Sequence, residues 1–364
     1  MTRPPRTSPD RWVRALEDAV DHGRLAPSVH NTQPWTFVLF PDRLELRADR
    51  TRQLPVLDPD GRELVLSVGT ALLNVRASLA ASHLAVAIDR LPSVDDPDLM
   101  AVVRPVAGEP EPDLAALDRV VLHRHTNRRP FEPANVPAEV IEELAGIVAR
   151  EQALLVPVRG REQRGTVAEL TREADRLQNG DEAYREELRG WTSRPVGQGD
   201  GVPASSAPRT AGPRTDALPV RDFDVRGVGG LPRRTGSGID QTLVLLATAD
   251  DDPSAWLRAG EALERLLLEL TRRDWVASPL TQSLEVPSTR QRLRGLTAPA
   301  HPQMLLRIGR APRAHSSPRR PRRTVVENST RTTPPPVTPL PPPRTPAQPG
   351  RRPVSDGRGG TTSL

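Results

Sequence analysis

The stretch "APSVHNTQPWTF", residues 26–37, decides how the chain is read. It sets an Asn, a Gln and a Trp around a Pro, directly after the amphipathic helical pattern "DRWVRALEDAVDHG" and directly before an apolar run. Amides that both donate and accept, crowded onto a Pro-fixed corner between a helix and a strand, suit the presentation of polar groups to a ligand. Downstream, "WTFVLF" and "RLELRA" read as a hairpin, and "ELVLSVGTALLNVRASLAASHLA" reads as a long apolar helix. Upstream, Asp10 stands where an N-cap of the first helix is expected. Trp35 reads as a core anchor of the corner rather than a ligand contact.

At 364 residues the chain is long enough for two domains, or for one domain built from two similar halves. It has no Cys, which excludes disulfides and thiolate metal sites, and its start "MTRPPRTSPDRWVRALEDAV" has no apolar signal core. A cytoplasmic protein without a membrane partner is expected. All 51 basic residues are Arg and Pro reaches 41, usage that suggests a high-GC bacterial coding sequence. Within the net charge of +5, residues 311–364 hold ten Arg against Glu327 and Asp356, a surplus of eight that leaves the rest about three negative. The body of the protein is therefore not basic, and charge alone gives no specific nucleic-acid site. His123 and His125 have no carboxylate or Cys partner in sequence, so no metal site is expected. "GVGG" at 227 and "RTGSG" at 234 read as loop glycines, because neither joins a strand to a helix with phosphate-loop spacing.

Residues 190–238 are dense in Gly, Pro and Ser without a sustained period, and a segment of that length inside a domain reads as a covering loop. Regular structure returns with "QTLVLLATA", "WLRAGEALERLLLELTRR" and "QMLLRIG". From residue 326 to 364 the Pro- and Arg-rich tail offers too little apolar surface for a core and is expected to be disordered. An internal echo joins the two structured parts: "GTALLNVRASL" from Gly69 lines up with "GEALERLLLEL" from Gly260. Each helix is followed by a break and a strand-like run, which points to a duplicated unit.

A second chemical stretch begins at Arg124, "RHTNRRPFEPANVPAEVIEEL", with Arg124, Thr126 and Arg128 close together ahead of a capped helix. Arginine forks beside a hydroxyl suit a phosphate group, since charge-assisted bonds are roughly twice as strong as neutral ones. "RHTNR", then Phe, "VP" and "EVIEEL", resembles the opening motif of the flavin-dependent nitroreductase family, and "LAPSVHNTQPWTF" resembles that family's second motif. Their order is reversed here, which is similar to the Acg-like actinobacterial branch, where one chain carries two degenerate halves that mimic the usual homodimer.

The resemblance implies an α+β nitroreductase-like fold in which halves 11–120 and 121–325 form a pseudo-dimer. It also implies FMN at the interface of the halves. Half one would supply Pro27, Ser28, Val29, His30 and Asn31, with Asn31 on the pyrimidine edge of the ring. Half two would supply Arg124, Thr126 and Arg128, then Ala277, Ser278 and Pro279 of "VASPL", and Arg319 and Arg320 for the phosphate. The opposite site would need an arginine motif ahead of Arg11 and a second N-x-Q-P-W, and the chain reads "QALLVPV" instead, so one FMN per chain is expected. His125 stands as a further neighbour of the flavin. No single catalytic residue can be named. The implied activity is electron transfer from NAD(P)H to nitro or quinone acceptors. Its alternative is a catalytically poor flavin-sequestering protein with residues 190–238 as a lid. Because the dimer interface would be internal, a monomer is expected, with a homodimer left open.

Overall fold

In the computed structural model of the chain, residues 9–129, 131–203, 221, 223, 241–314 and 316–329 are described. Helix α1 (Pro9–Gly23) buries Trp12, Leu16, Ala19 and Val20 on one face and exposes Arg11, Arg14 and Asp18 on the other, as its apolar spacing requires. Asp10, expected as its N-cap, lies inside the helix. The first half continues through β1 (Trp35–Leu39), β2 (Leu44–Ala48), α2 (Arg62–Ala81), β3 (Val86–Arg90), β4 (Leu99–Pro105) and α3 (Pro112–Ala115). The second half begins with α4 (Ala138–Ala149), β5 (Leu154–Val158), α5 (Gly160–Gly180), α6 (Glu182–Thr192) and β6 (Thr242–Thr248). It continues through α7 (Pro253–Arg272), β7 (Val276–Pro279), α8 (Gln282–Glu285), α9 (Pro287–Leu293) and β8 (His301–Gly309). A last short strand, β9, covers Val326–Asn328.

Each half owns a sheet. The first has the order β3-β4-β2-β1-β9 and the second β5-β6-β8-β7. The expected hairpin is present, with Trp35 opposite Ala48 and Leu39 opposite Leu44. The tail expected to lack structure from residue 326 begins no earlier than residue 330. Val326–Asn328 pairs parallel to β1, the Phe37 N–H donates to Val325 O at 2.8 Å, and Val326 packs on the core of the first half. The chain that leaves half two therefore closes the sheet of half one. Residues 330–364 and most of 190–238 lie outside the described residues.

The two echoing helices cross at the centre. A Cβ on Gly69 would lie 2.1 Å from the Leu257 carbonyl oxygen, and a Cβ on Gly260 would lie 2.0 Å from the Leu66 carbonyl oxygen. Leu66 precedes Gly69 by one helical turn as Leu257 precedes Gly260, so the contact is self-complementary, the mark of a two-fold relation between the halves. Leu66 and Leu257 also exchange places: Leu66 belongs to the core of the second half and Leu257 to the core of the first. Helix α2 is long and apolar enough to cross a membrane, yet it is buried from Arg62 to Ala80 as the centre of this interface. In an exposed helix, replacing Gly by Ala stabilises by roughly 0.5–1 kcal/mol. Here the sign reverses: Gly69→Ala should destabilise the chain by about 3 kcal/mol through overpacking against backbone that cannot yield. Urea unfolding of the variant beside an exposed control, Gly165→Ala in α5, checks this.

Candidate functional site

The corner at residues 27–34 is held in a conformation that L-residues disfavour. His30, Asn31 and Gln33 all have positive φ, at 45°, 56° and 51°. Such residues cost roughly 1–2 kcal/mol each and persist only where the surroundings over-determine them. Helix α2 supplies much of that constraint: the Thr70 hydroxyl donates to Pro27 O at 2.7 Å, and Ser67 Oγ accepts from the Val29 N–H at 3.2 Å. Ser28 Oγ closes the turn by accepting from the Gln33 N–H at 2.9 Å. Trp35 is fully buried in the core, as its position at the corner predicts.

Residues 124–128 run alongside this corner. Asn127 anchors them, its N–H donating to Ala277 O on β7 at 3.0 Å and its Nδ2 to Pro312 O at 2.8 Å. Arg124 and Arg319 converge beside them. Arg124 Nε lies 3.2 Å from Glu264 of α7, and Arg319 Nη2 donates to the carbonyls of Leu25 and Ala26 at 2.8 and 3.1 Å. Arg319 Nε is buried without a hydrogen-bond partner among the described residues, and Arg124 Nε has the Glu264 ion pair.

Two adjoining spaces open between these segments. The smaller is a charged recess with Arg124, Thr126 and Arg319 in its wall. The larger, with about 790 Å³ of free space, is lined by the aliphatic side chains of Leu66, Leu263, Leu267 and Met304 and by the hydroxyls of Ser67, Thr70 and Ser278. Pro27, Ser28, Thr126 and Arg128 border both, so the spaces form one elongated site with a cationic end and a largely apolar body.

Burial shapes the charges. Arg319 is pushed down to about 9 by burial and then by neighbouring Arg124, and Arg128 to about 10 by burial and then by Arg221. His125, which borders the recess, falls to about 4 by burial, Arg124 and Arg319. His30, edge-on to Phe223 in the larger space, falls to about 3 by burial and then Arg221, so its imidazole is neutral at pH 7. Its Nδ1 is buried and has no hydrogen-bond partner among the described residues. Glu264 is pushed up to about 7 by burial, against the pull of Arg124. The recess thus concentrates buried positive charge over one weakly ionised carboxyl, an arrangement that an anion completes.

Of the residues singled out from the sequence, Pro27, Ser28, Val29, His30, Thr126, Arg128, Ser278 and Pro279 border the larger space. Asn31 borders the smaller recess with Arg124 and Arg319. Its amide, expected on a ring edge, is engaged within the protein: Nδ2 donates to Gly201 O at 3.0 Å and Pro318 O at 3.1 Å, and Oδ1 accepts from Arg319 at 3.1 Å. Two residues are placed otherwise. Arg320 turns away from the site to Gln33 O, Thr324 O and Asp49. Ala277 borders neither space, because strand alternation turns it into the core of the second half while Ser278 faces the site. Sequence reasoning missed Glu63, Ser67 and Thr70, although their helical spacing along an apolar α2 marks one polar stripe toward the site. It also missed Thr281 and Gln282. Arg221 and Phe223 border the larger space from within the segment read as a covering loop.

The pseudo-two-fold counterpart of the site is filled. The register that carries Gly69 onto Gly260 carries Thr70 onto Glu261 and Leu267 onto Arg76. Where Thr70 and Leu267 border open space, Arg76 donates to Glu261 at 2.8 Å and to Glu151 at 2.6 Å, and Arg265 donates to Glu151 at 2.6 Å.

Comparison with known proteins bears on this arrangement directly. A Mycobacterium tuberculosis protein named "Putative NAD(P)H nitroreductase Rv3131" is 35% identical over 306 residues, covering 82% of this chain and 86% of its own. The chain belongs to the nitroreductase family. Its Acg-like character is equally plain, since the M. tuberculosis relative named for the same activity and called acg is 31% identical over 325 residues, 86% of this chain and 96% of that one. A solved Bacteroides fragilis nitroreductase with bound FMN aligns with a TM-score of 0.30 at 14% identity, over 53% of this chain and 87% of that one. No family model matches the chain.

In this chain the raised Glu264 has a consequence for stability. A carboxyl whose folded value lies above its unfolded value stabilises the fold below the unfolded value, and that contribution is lost as pH rises through about 7. In the ligand-free chain, Glu264→Gln should therefore lose less stability between pH 5 and pH 8 than the parent, by roughly 1–3 kcal/mol. Chemical denaturation at the two pH values measures the difference.

Proposed function

We propose that the chain binds one FMN and acts as an oxidoreductase carrying electrons from NAD(P)H to small nitro or quinone acceptors. The observation that carries this reading is the buried Arg124–Arg319 pair, two like charges that share only the Glu264 carboxyl, bordering a recess that adjoins a largely apolar space. A phosphate would complete the charge of the recess, and a fused aromatic ring system suits a body walled by Leu66, Leu263, Leu267 and Met304. The flavin, when bound, supplies the capacity to accept a hydride and pass electrons on singly or in pairs. The protein supplies the rest. Arg124 and Arg319 neutralise the phosphate, Thr126 donates a hydroxyl hydrogen bond to it or to the adjoining chain, and the backbone at Pro27–Val29 limits where the ring edge sits. Asn31 serves the site through Arg319, which it holds by a 3.1 Å hydrogen bond.

One equivalent of FMN per chain is expected by absorption, with riboflavin bound much more weakly. Arg124→Ala should weaken FMN binding by roughly 1.5–3 kcal/mol and Thr126→Ala by roughly 0.5–1.5 kcal/mol. Arg319→Ala should weaken binding comparably and also lower the melting temperature, because it removes the hydrogen bonds to Leu25, Ala26 and Asn31. Riboflavin bound as tightly as FMN would remove the phosphate from the argument.

Sequestration of the flavin is the second reading, favoured by Arg221 and Phe223. Arg221 Nη2 pairs with Glu285 Oε1 at 2.6 Å and its Nη1 donates to Tyr184, which fastens this part of the 190–238 segment beside the site. Hydride transfer needs the donor carbon within roughly 3–3.5 Å of the acceptor atom, and a fastened Phe223 competes for that space. Stopped-flow bleaching by NAD(P)H should be slow in the parent and faster in Arg221→Ala and Phe223→Ala, with FMN still bound. Fast bleaching of the parent would dismiss sequestration and leave the reductase reading alone.

A further inference from the structure

Glu63 stands in the wall between two separate spaces. On one side is the body of the site described above, and on the other a wider cleft of about 990 Å³ whose lining includes Asp58, Asp60, Trp256, Arg290 and His301. Among the described residues Glu63 alone borders both, and it is 3% exposed. Its place is fixed from below: the Glu63 and Leu64 N–H groups donate to the Asp58 carboxylate at 3.0 and 2.8 Å, which pins the first turn of α2. Arg62 donates to its carboxyl and is itself tied to Gln303 O of β8 at 2.8 Å.

The two spaces differ in kind. The outer cleft is rimmed by charged groups, with Asp251 held by Arg290 at 2.7 and 2.9 Å and lying 3.6 Å from His301, so it suits water. The inner space is walled chiefly by aliphatic side chains and hydroxyls. Among its described lining residues, His30 stays neutral and Arg128 stays cationic through the neutral range. Glu63 differs: burial pushes it up to about 7 against Arg62, with Glu285 and Asp58 raising it further and Arg221 opposing. A carboxyl held near neutrality in a wall shared by both spaces can take a proton from one and give it to the other.

We propose that Glu63 is the proton port of the flavin cavity, exchanging protons with water in the outer cleft and delivering them to an acceptor reduced at the ring. The proposal rests on the FMN reading above. In quinone reduction the hydride originates in NAD(P)H; the Glu63 O–H bond breaks as an O–H bond forms on the acceptor oxygen, and the carboxylate then takes a proton from cleft water. One NAD(P)H, one quinone and one solvent proton give one NAD(P)⁺ and one hydroquinone product, so charge and atoms balance.

Infrared titration of the ligand-free chain labelled with ¹³C-glutamate should show protonated-carboxyl absorption lost near pH 7, to which Glu63 and Glu264 both contribute; the Glu63 part should be missing in Glu63→Gln and should remain in Glu264→Gln. With FMN bound, the reduced-minus-oxidised infrared spectrum of the parent should show the Glu63 part changing. Re-oxidation by benzoquinone should fall on the order of a hundredfold in Glu63→Gln, with its pH dependence flattened, and Glu63→Asp should restore a pH profile. A chain that binds FMN but shows no glutamate band changing on reduction overturns the port, whether or not the variant folds. An unchanged pH profile in a folded Glu63→Gln overturns it equally. A chain that takes up no FMN overturns the flavin reading itself and the port with it, which the absorption spectrum distinguishes before any infrared measurement.

Discussion

The backbone contact of α2 with α7 at Gly69 and Gly260 is the constraint on which the rest of the structure depends. Glycine in a helix interior costs roughly 0.5–1 kcal/mol, and the chain carries that cost twice at one crossing point. What it gains is an approach so close that Leu66 reaches the core of the second half and Leu257 the core of the first. Neither half could then fold apart without opening its own core. The same approach sets Ser67 and Thr70 of α2 across from Leu263 and Leu267 of α7, and the corner at residues 27–34 hangs from those two hydroxyls.

A two-fold crossing makes two equivalent ends, yet this chain uses them differently. At one end the register positions are hydroxyl and aliphatic groups around open space; at the other they are Glu261 and Arg76, joined by Glu151, Arg265 and Arg90. Buried ion pairs contribute little net stability compared with well-packed apolar groups of the same volume. This network is better understood as occupancy: long, mutually satisfied side chains fill a volume that a symmetric duplication would leave open. Removing one member would strand its partners as buried charges, so the filled end is locked once acquired.

Much of this architecture was legible in the sequence because its causes are local or repeated. The glycine echo at Gly69 and Gly260 is a packing requirement written twice, and the hairpin from Trp35 to Ala48 follows from alternation. The corner could be located because Pro, amide and indole residues crowd there. What those amides contact could not be read, since the partners of Asn31 come from Gly201, Pro318 and Arg319, far along the chain. Strand β9 was illegible for a similar reason. Three residues rich in no particular propensity become a strand only because β1 offers an edge, and β-propensity is largely a statement about such neighbours. Arg221 and Phe223 sit in a stretch without periodicity, where no local pattern distinguishes an anchored residue from its neighbours.

The strained corner and the cationic recess are one device. His30, Asn31 and Gln33 are held left-handed by bonds that come partly from α2 and partly from the 317–320 segment, where Arg319 grips Leu25, Ala26 and Asn31 and the Arg320 N–H donates to Gln33 at 2.8 Å. Arg319 thus serves two masters, the backbone of the corner and the charge of the recess. Its ionised form is disfavoured by burial beside Arg124, so an anion arriving in the recess would strengthen the very guanidinium that fixes the corner. Binding at the charged recess would therefore tighten the geometry of the corner, and the cost of three disfavoured residues would be offset most fully when both spaces are engaged. A pocket organised this way would favour a ligand that reaches both the charged recess and the apolar space, because one that filled only one of them would leave the other part of the device slack.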